Sequence, residues 1–346
     1  MKKILIFPEP KMMKGNFYLL HLSKILANKY QILDSSKSYF KNLLICDFIL
    51  LNWFESIKNQ PLLLIKRLFF LFFAFCSRKK IVWTLHNKIP HEGRCLYSQI
   101  VIFLLLRFSW KIHILCKESY KLSFLKGFET KCVLIPHGDY FGDFKSNGLN
   151  LHDKYKLHIN SKIILFTGAI KPYKNIELLI SAFNSSSLAK YGFTLLIRGN
   201  CLNNEYSNRI KNLSEKKECV IFDPTFIPTN EMYDYLDQSI CLVAPYNNKS
   251  TLNSGTLWMA LSYKKTIIIP EIGSIKDIPE FNSILYTYTY QTEDEHEKRL
   301  KEVFIRLKED IFKSADCLLK KGGSGFKYME KNSWEKQKEN WINLFS

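Results

Sequence analysis

The sequence predicts an α/β protein with two parallel sheets, and three observations support this fold class. Short runs of β-branched and aromatic residues alternate with helical stretches along the whole chain. Such alternation is typical of parallel sheets covered by helices. The chain has 346 residues, and domains of about 100 to 200 residues are usual, so two domains are expected. An apolar content of 47% with 26 Phe and 18 Tyr excludes a disordered chain.

Ten runs have the character of strands, five on either side of a polar stretch at 142–161 that contains Gly142, Gly148 and several asparagines. This stretch is the natural linker, so we expect an N-terminal domain at 1–150 and a second domain at 151–329. The glycines of "KKGGSG" predict a hinge, and the last helix, about 330–346, carries Trp334, Trp341 and Leu344 on one face and is expected to pack back on another domain. The predicted strands are 3–7, 47–51, 80–85, 112–116, 132–135, 162–167, 193–198, 219–222, 240–244 and 266–270.

The positive charge is concentrated in the first half of the chain. Residues 1–150 contain 23 Lys and Arg against 9 Asp and Glu, which accounts for +14 of the formal charge of +18. A cationic surface attracts nucleic acid, anionic lipid or phosphorylated ligands. Cations interrupt the apolar stretches 61–76 and 99–116, so we expect no transmembrane helix there. Two interpretations stay open for them: buried helices, or helices lying at a membrane interface.

The nine cysteines are scattered and form no C-x-x-C pair, so neither a zinc site nor a disulfide framework is indicated. The opening "MKKILIFPEP" has only four apolar residues before Pro8, which predicts a strand rather than an export signal. A cytoplasmic protein is therefore expected.

Polar residues follow most of the predicted strands. Ligands of open α/β sheets bind outside the carboxyl ends of the strands, where loops converge and helix N-termini offer N–H groups. A single histidine beside a strand, or a Ser-Gly-Thr before a helix, is often only structural. Because the polar groups coincide at one edge, we expect a ligand cleft between the domains. The residues concerned are His86, Asn87, His91, Glu92, His137, Asp139, Gly168, Lys171, Lys174, Arg198, Ser254, Gly255 and Thr256.

Two lysines follow the sixth predicted strand, and a Ser-Gly-Thr sequence begins the helix after the ninth. Ammonium groups and helix N–H groups both favour anionic oxygens. Lys171 and Lys174 together with Ser254 to Thr256 therefore predict a site for a diphosphate. The alternative is that both lysines are simply solvated.

These motifs resemble those of the group-1 type glycosyltransferases with the GT-B fold. "LFTGAIKPYKNIELLISAF" is similar to that family's strand, G-R-L-x-x-x-K-G and helix, and residues 244–270 are similar to its donor-site helix and the strand after it. "VWTLHNKIPHE" with "LIPHGDY" resembles a bacterial surface-polysaccharide branch with an H-N-x-x-P-H-E motif. The resemblance covers roughly residues 80 to 275.

The resemblance implies two Rossmann-like domains facing across a cleft, the first binding the acceptor and the second the nucleotide sugar. By matching positions, Lys174 is the lysine that contacts the donor diphosphate, and Phe226 and Ile227 fall near the loop that holds the nucleobase. Asn87, His91 and His137 lie on the acceptor side.

Two departures from the family pattern stand out. Ala169 replaces the arginine that follows the glycine, so Lys171 is expected to supply the missing charge. Thr251 and Met259 occupy the positions of two paired glutamates, so neither carboxylate is present. The sequence contains no D-x-D, consistent with an enzyme that uses no metal or other cofactor and neutralises the leaving diphosphate with lysines and helix dipoles.

The leading hypothesis is a hexosyltransferase of O-antigen, lipopolysaccharide, capsule or exopolysaccharide biosynthesis, peripheral on the inner face of the cell membrane. It would use a nucleotide sugar, with UDP preferred to GDP, and a lipid-diphosphate-linked saccharide. His86 and Glu92 are the groups expected near the reacting atoms; an inverting reaction needs one as general base, with Asp139 in reserve, whereas a retaining reaction needs no dedicated base.

The sequence has three alternative interpretations. A non-catalytic nucleotide-sugar-binding homologue is supported by the missing glutamates. A nucleic-acid-binding protein is disfavoured because the cations are interleaved with Leu and Phe rather than gathered in a polar patch. A nucleotide-sugar dehydrogenase or epimerase is disfavoured because no G-x-G-x-x-G follows the first strand and no Y-x-x-x-K occurs.

Overall fold

The structure is a computed structural model that describes residues 1–12, 15–34, 39–57, 60–89, 95–217 and 219–346. The chain divides into two compact units. Unit 1 comprises Met1–Gly138, Lys249–Asn253 and Asn332–Ser346, and unit 2 comprises Asp139–Asn248 and Ser254–Lys331. The first junction therefore lies at Gly138, ahead of the boundary expected near residue 150.

Unit 1 is built on a parallel sheet in the order β2-β1-β3-β4-β5-β6. Its central strand β3 is buried along its whole length, and Ile49 pairs with Leu5 on one side and Ile81 on the other. Runs of Ile, Leu and Val suit such a strand because both of its faces are covered by helices. The strands are β1 (Lys3–Phe7), β2 (Gln31–Leu33), β3 (Phe48–Asn52), β4 (Lys80–Leu85), β5 (Ser109–Ile114) and β6 (Cys132–Leu134).

In the described part of unit 1, four α-helices precede the first junction. Asn16 caps the first of them by accepting a hydrogen bond from the N–H of Leu19 at 3.2 Å. Pro61 begins the third at a position where a missing N–H costs nothing. The helices are α1 (Phe17–Leu26), α2 (Tyr39–Ile45), α3 (Pro61–Cys76) and α4 (Leu96–Phe108).

Unit 2 also contains a parallel sheet, in the order β12-β11-β10-β7-β8-β9. β8 is buried throughout and β7 nearly so. The strands are β7 (Lys162–Thr167), β8 (Phe193–Arg198), β9 (Val220–Asp223), β10 (Ser239–Val243), β11 (Ile267–Pro270) and β12 (Tyr286–Tyr288). The helices are α5 (Leu151–Lys154), α6 (Ile176–Ser185), α7 (Asn204–Glu215), α8 (Met232–Asp237), α9 (Gly255–Ser262), α10 (Phe281–Ile284), α11 (Glu293–Lys313) and α12 (Cys317–Lys331).

The stretch expected to be a linker is held within unit 2 by two side chains, one on α8 and one directly after it. The Asp234 carboxylate accepts hydrogen bonds from the Ser146 hydroxyl and from the N–H groups of Asn147 (3.1 Å) and Leu149 (3.3 Å). Gln238 accepts from the N–H of Leu151 at 2.8 Å. These bonds order a polar segment that has few apolar side chains of its own.

The last helix, α13 (Trp334–Asn343), belongs to unit 1 and packs on α1. Trp334, Trp341 and Leu344 are all buried in the apolar cluster on this side of the sheet. The Tyr30 hydroxyl donates to the carbonyl of Ile342 at 3.0 Å. Trp334, Trp341 and Leu344 therefore share one buried apolar cluster.

The ten predicted strands are all present, with bounds that differ by a few residues at most. Two further strands were missed: β2 and β12 have only three residues each, and neither stands out as an apolar run. The glycine hinge predicted at "KKGGSG" is wrong, because these residues lie inside α12. A Cβ at Gly322 would lie 1.9 Å from the carbonyl oxygen of Lys264, and one at Gly325 would lie 2.6 Å from Leu261. These two glycines let α12 approach α9 and the turn after it.

Alanine substitutions at Gly322 and Gly323, which are neighbours in α12, should therefore change the stability of unit 2 in opposite directions. Gly322→Ala would force the helix away from the backbone of Lys264 and should destabilise unit 2 by about 2 kcal/mol or more. Gly323→Ala meets nothing within 4 Å and should stabilise the helix by about 1 kcal/mol. Urea unfolding of the two variants measures both changes, and equal effects would contradict this packing.

None of the helices in the described parts of the chain is long and apolar enough to cross a membrane.

Candidate functional site

In unit 2, the loops after β7 and β8 lie against each other at the carboxyl edge of the sheet. Gly168 has a φ of 119°, which side-chain-bearing residues rarely adopt. A Cβ at Gly199 would lie 1.8 Å from the carbonyl oxygen of Gly168. The N–H of Ile170 donates to the carbonyl of Asn200 at 2.9 Å. Both glycines are thus required for this close approach of two backbones.

Lys174 is placed by the residue that follows it. Asn175 adopts the left-handed conformation, with a φ of 56°, and its side-chain amide donates to the carbonyl of Pro245 at 2.8 Å. This bond ties the loop after β7 to the loop after β10. The Lys174 ammonium lies 3.6 Å from the centroid of the Tyr246 ring, a cation–π contact. The carbonyl of Lys171 accepts from the N–H of Lys174 at 2.9 Å.

Tyr246 connects this lysine to the start of α9. Its buried hydroxyl donates to the Thr256 hydroxyl at 3.1 Å. Burial raises the pKa of Tyr246, but the Lys174 ammonium and hydrogen bonds with Ser254, Thr256 and Lys174 outweigh burial and lower that pKa below its usual value. Ser254 caps α9, accepting from the N–H of Leu257 at 3.3 Å. The structure thus brings Lys174, Ser254 and Thr256 together around one buried phenol.

Other tyrosines hold this group in place. The Tyr290 hydroxyl donates to the carbonyl of Tyr246 at 3.1 Å, and the Tyr290 ring stacks on His296 with 3.8 Å between centroids. A Cβ at Gly255 would lie 2.9 Å from the Tyr140 hydroxyl, so any side chain where α9 begins would displace that hydroxyl. Sequence reasoning missed Tyr246, although its position directly after a predicted strand was the available signal.

Arg198 has a different environment from Lys174. Its buried guanidinium lies 3.3 Å from the Asp223 carboxylate and 3.5 Å from that of Glu231. It also donates to the Tyr155 hydroxyl at 3.1 Å and the carbonyl of Phe226 at 3.4 Å. These contacts make Arg198 a residue that holds the loop after β9. Its predicted contact with the donor remains a prediction.

The loop after β9 carries the two residues expected near a nucleobase. The Phe226 side chain is 57% exposed, whereas Ile227 is buried. Hydrogen bonds from Thr225 to the Asp223 carboxylate shape the turn before them. The bond from Arg198 to the Phe226 carbonyl fixes the backbone while the ring stays accessible.

In unit 1, His86 lies at the carboxyl end of β4 in a mostly aromatic environment. Its imidazole stacks on Trp53, with 4.1 Å between centroids and 17° between planes, and the Tyr18 ring meets it edge-on. Trp53 has a φ of 51°, an uncommon conformation for a bulky residue. His86 Nε2 lies 3.1 Å from Asn52 Oδ1.

The hydrogen bonds of Asn52 assign the tautomer of His86. The Asn52 amide nitrogen donates to the carbonyl of Phe7 at 3.2 Å, which turns its oxygen toward His86. An amide oxygen only accepts, so Nε2 of His86 carries the proton. In the neutral imidazole Nδ1 is then the basic nitrogen.

His137 is buried and its Nδ1 donates to the carbonyl of Gly138 at 2.8 Å. Burial, with a smaller effect from His21, lowers the pKa of His137 to about 4, so its imidazole is neutral near pH 7. A Cβ at Gly138 would lie 2.4 Å from the Trp334 indole. These contacts indicate that His137 fixes the chain at the place where α13 packs on the rest of unit 1.

The remaining predicted residues are dispersed. Asn87 pairs with Thr251 in an antiparallel bridge, since Lys249–Asn253 is part of unit 1. Asp139 is buried in unit 2, and its carboxylate accepts from the N–H of Phe141 at 2.8 Å. His91 and Glu92 lie outside the described residues. Met259, at the second glutamate position, is buried in α9.

Sequence reasoning also missed Glu55, a buried carboxyl after β3. The Trp83 indole N–H donates to it at 3.0 Å. The Arg67 guanidinium, which lies over the rings of Phe7 (4.3 Å) and Phe54 (4.0 Å), exerts a weaker electrostatic effect on this carboxyl. Burial raises the pKa of Glu55 to about 7, so folded unit 1 binds a proton that the unfolded chain releases at lower pH.

Glu55→Gln should therefore make unit 1 less sensitive to pH. The folded pKa of about 7 lies above the usual value of 4.5, so the wild type loses stability as the pH rises between these values. That loss amounts to about 3 kcal/mol and is absent in the variant, whose amide still accepts from Trp83. Unfolding measured by fluorescence at about pH 5 and about pH 8 tests this, and parallel pH dependence in both proteins would contradict it.

Within the described residues, no group of three or more His, Cys, Asp or Glu side chains is placed to hold a metal ion. That the sugar transfer needs no metal ion stays a prediction.

The fold and part of the chain are similar to known proteins. Residues 150–252 match the model of the family Glycosyl transferases group 1. The Anabaena protein HepE, solved in complex with UDP-glucose, is 13% identical over 99% of both chains with a TM-score of 0.71. Sucrose-phosphate synthase from Thermosynechococcus elongatus is 14% identical over 100% of this chain and 98% of its own, with a TM-score of 0.71.

A glycosyltransferase from Rickettsia africae is 15% identical over 99% of this chain and 97% of its own, with a TM-score of 0.65. A comparison with curated protein sequences finds no match. The two parallel sheets and these structural likenesses define the chain as a protein with the GT-B fold. Residues 150–252 match the model of the group-1 glycosyltransferases, the family that the sequence motifs resemble. The chain's place in the H-N-x-x-P-H-E branch stays a prediction.

Proposed function

We propose that this chain transfers a hexose from a nucleotide-diphosphate sugar to a lipid-diphosphate-linked saccharide in the assembly of a bacterial surface polysaccharide. The observation that carries the donor half is the grouping of Lys174, Tyr246 and Thr256 at the start of α9. An ammonium, hydroxyl groups and the N–H groups of a helix start are donors suited to diphosphate oxygens. Charge on the leaving diphosphate would grow during transfer, so fixed donors here would stabilise the transition state.

A UDP-sugar is the first donor to test. HepE was solved with UDP-glucose, and also with UDP and glucose; for this chain the base remains part of the proposal. Gly168 and the loop of Phe226 and Ile227 lie at the same sheet edge as Lys174 and would accommodate the nucleotide. Lys171 and Arg198 are assigned to the donor side on sequence position.

The acceptor half of the proposal rests on unit 1. The basic first 150 residues, with a net charge of +14, suit a substrate carrying a diphosphate at an anionic membrane surface. His86, with its basic Nδ1, is the group that would receive the proton of an acceptor hydroxyl in an inverting reaction. Asn87 and His137 lie on the same unit.

Nucleotide release from a panel of UDP- and GDP-sugars tests the proposal. The purified protein is incubated with each donor, with and without a short lipid-diphosphate-sugar acceptor. Release that depends on the acceptor, from one donor, is the expected result. Binding of a nucleotide sugar without transfer to any acceptor would favour a non-catalytic homologue, the alternative that Thr251 and Met259 support by replacing both glutamates.

A further inference from the structure

Helix α3 carries large apolar side chains on the side that faces away from unit 1. Leu62, Ile65, Phe69 and Phe72 are 65%, 61%, 54% and 63% exposed. Their spacing of three and four residues places them along one face of the helix. We call these four residues the outer face of α3.

The opposite side of α3 anchors the helix to the sheet. Phe70, Leu71 and Ala74 are buried in the core of unit 1. A surface helix with one face in the core normally carries polar residues on the other. Exposed apolar patches of this kind mark surfaces that interact with a protein or a membrane.

The charges around the outer face favour an anionic partner. Neither α3 nor α4 contains Asp or Glu. Lys66 is exposed on α3, Arg78 follows the end of α3, and Arg107 is exposed in the last turn of α4. Phe103 of α4 is also 61% exposed. An apolar helix face with cations beside it is the arrangement of helices that lie in the interface of anionic bilayers.

We propose that the outer face of α3 inserts into the surface of an anionic lipid bilayer, with the helix lying in the membrane plane. The helix has 16 residues, fewer than the roughly 20 that a spanning helix needs. Of the two interpretations that the sequence left open for 61–76, the exposed side chains favour the interfacial one.

The direction of α3 relates this surface to the acceptor. In a parallel sheet, a helix that follows a strand begins at the carboxyl edge of that sheet. α3 follows β3, whose last residue is Asn52, the partner of His86. The membrane-bound helix thus starts at the edge where His86 lies, which suits an acceptor that stays anchored by its lipid. This inference deepens the proposed function and rests on it for the identity of the acceptor.

Sedimentation with lipid vesicles tests the surface without requiring catalysis. The full chain is mixed with vesicles of phosphatidylcholine alone, or with about one third phosphatidylglycerol. We expect binding to the anionic vesicles that weakens about tenfold or more between about 0.1 M and about 0.5 M salt. The variant Ile65→Ser with Phe72→Ser should bind them at least about tenfold more weakly. Both side chains are exposed, so its melting temperature should match that of the wild type.

The control carries the same change at exposed apolar positions of unit 2. Phe312 and Leu319 are 62% and 72% exposed, and Phe312→Ser with Leu319→Ser should bind vesicles like the wild type. Equal binding by wild type and the α3 variant, or no binding by the wild type, would overturn the proposal. So would a dimer in solution that the α3 variant dissociates, because a second copy would then cover this face. Vesicle binding together with absence of transfer would instead count against the proposed function alone.

Discussion

Lys174→Ala should lower kcat/KM for sugar transfer by about a hundredfold or more. The Lys174 ammonium lies against the Tyr246 ring beside the start of α9, where it would neutralise charge on the leaving diphosphate. Removing one such preorganised donor typically costs about 10² to 10³ in rate. Because the effect arises as charge develops, kcat should fall more than donor affinity does.

Three further variants provide comparisons for Lys174→Ala. Lys190 is an exposed lysine of the same unit, and Lys190→Ala should leave kcat/KM unchanged. Tyr246→Phe keeps the ring under the ammonium but removes the hydroxyl that bonds Thr256, so its loss should be smaller than that of Lys174→Ala. Lys171→Ala combined with Lys174→Ala should nearly abolish transfer. Wild-type rates in that double variant would remove both lysines from the donor site.

His86→Ala should reduce transfer by about 10² to 10⁴ while leaving nucleotide binding unchanged. This range is that of a general base, and the hydrogen bond with Asn52 presents Nδ1 of His86 as the basic nitrogen. The donor residues belong to unit 2, so the dissociation constant of UDP measured by calorimetry should match that of the wild type.

Asn52 separates a catalytic from a structural role for His86. Asn52→Asp keeps an acceptor oxygen for Nε2 and should retain more activity than Asn52→Leu, with a shifted pH profile. The exposed His158 of unit 2 provides the control, since His158→Ala should behave as the wild type. Unchanged rates in His86→Ala would exclude it as the base and would favour a reaction that needs none.

The sequence predicted the sheets well because most of the longer strands contain a run of Ile, Leu, Val or Phe between polar loops. It missed β2 (QIL) and β12 (YTY), since short strands that include polar residues do not stand out as apolar runs. The hinge at "KKGGSG" was wrong for a different reason. Glycine indicates flexibility when only local preference is considered, whereas here Gly322 and Gly325 make room for the neighbouring backbone and Leu261.

The candidate site was predicted in part. Strand ends located Lys174, Ser254 and Thr256 at one edge, and the structure places them around Tyr246. The position of Tyr246 after a predicted strand placed it near this edge but did not show that its phenol would be the common neighbour, because Lys174 and α9 come from different parts of the chain. Glu55 was missed for the same reason: its partner Trp83 is on another strand, and its burial follows from tertiary packing.

The contacts of Arg198 also limit which substitutions this protein can tolerate. One guanidinium serves the carboxylates of Asp223 and Glu231, the Tyr155 hydroxyl and the Phe226 carbonyl. Lysine cannot reproduce that planar set of donors, and loss of the arginine would leave two carboxylates without their shared cation. Positions 198, 223 and 231 are therefore energetically coupled, and we expect a replacement of Arg198 to favour compensating changes at the two carboxylates and to disturb the loop that bears Phe226.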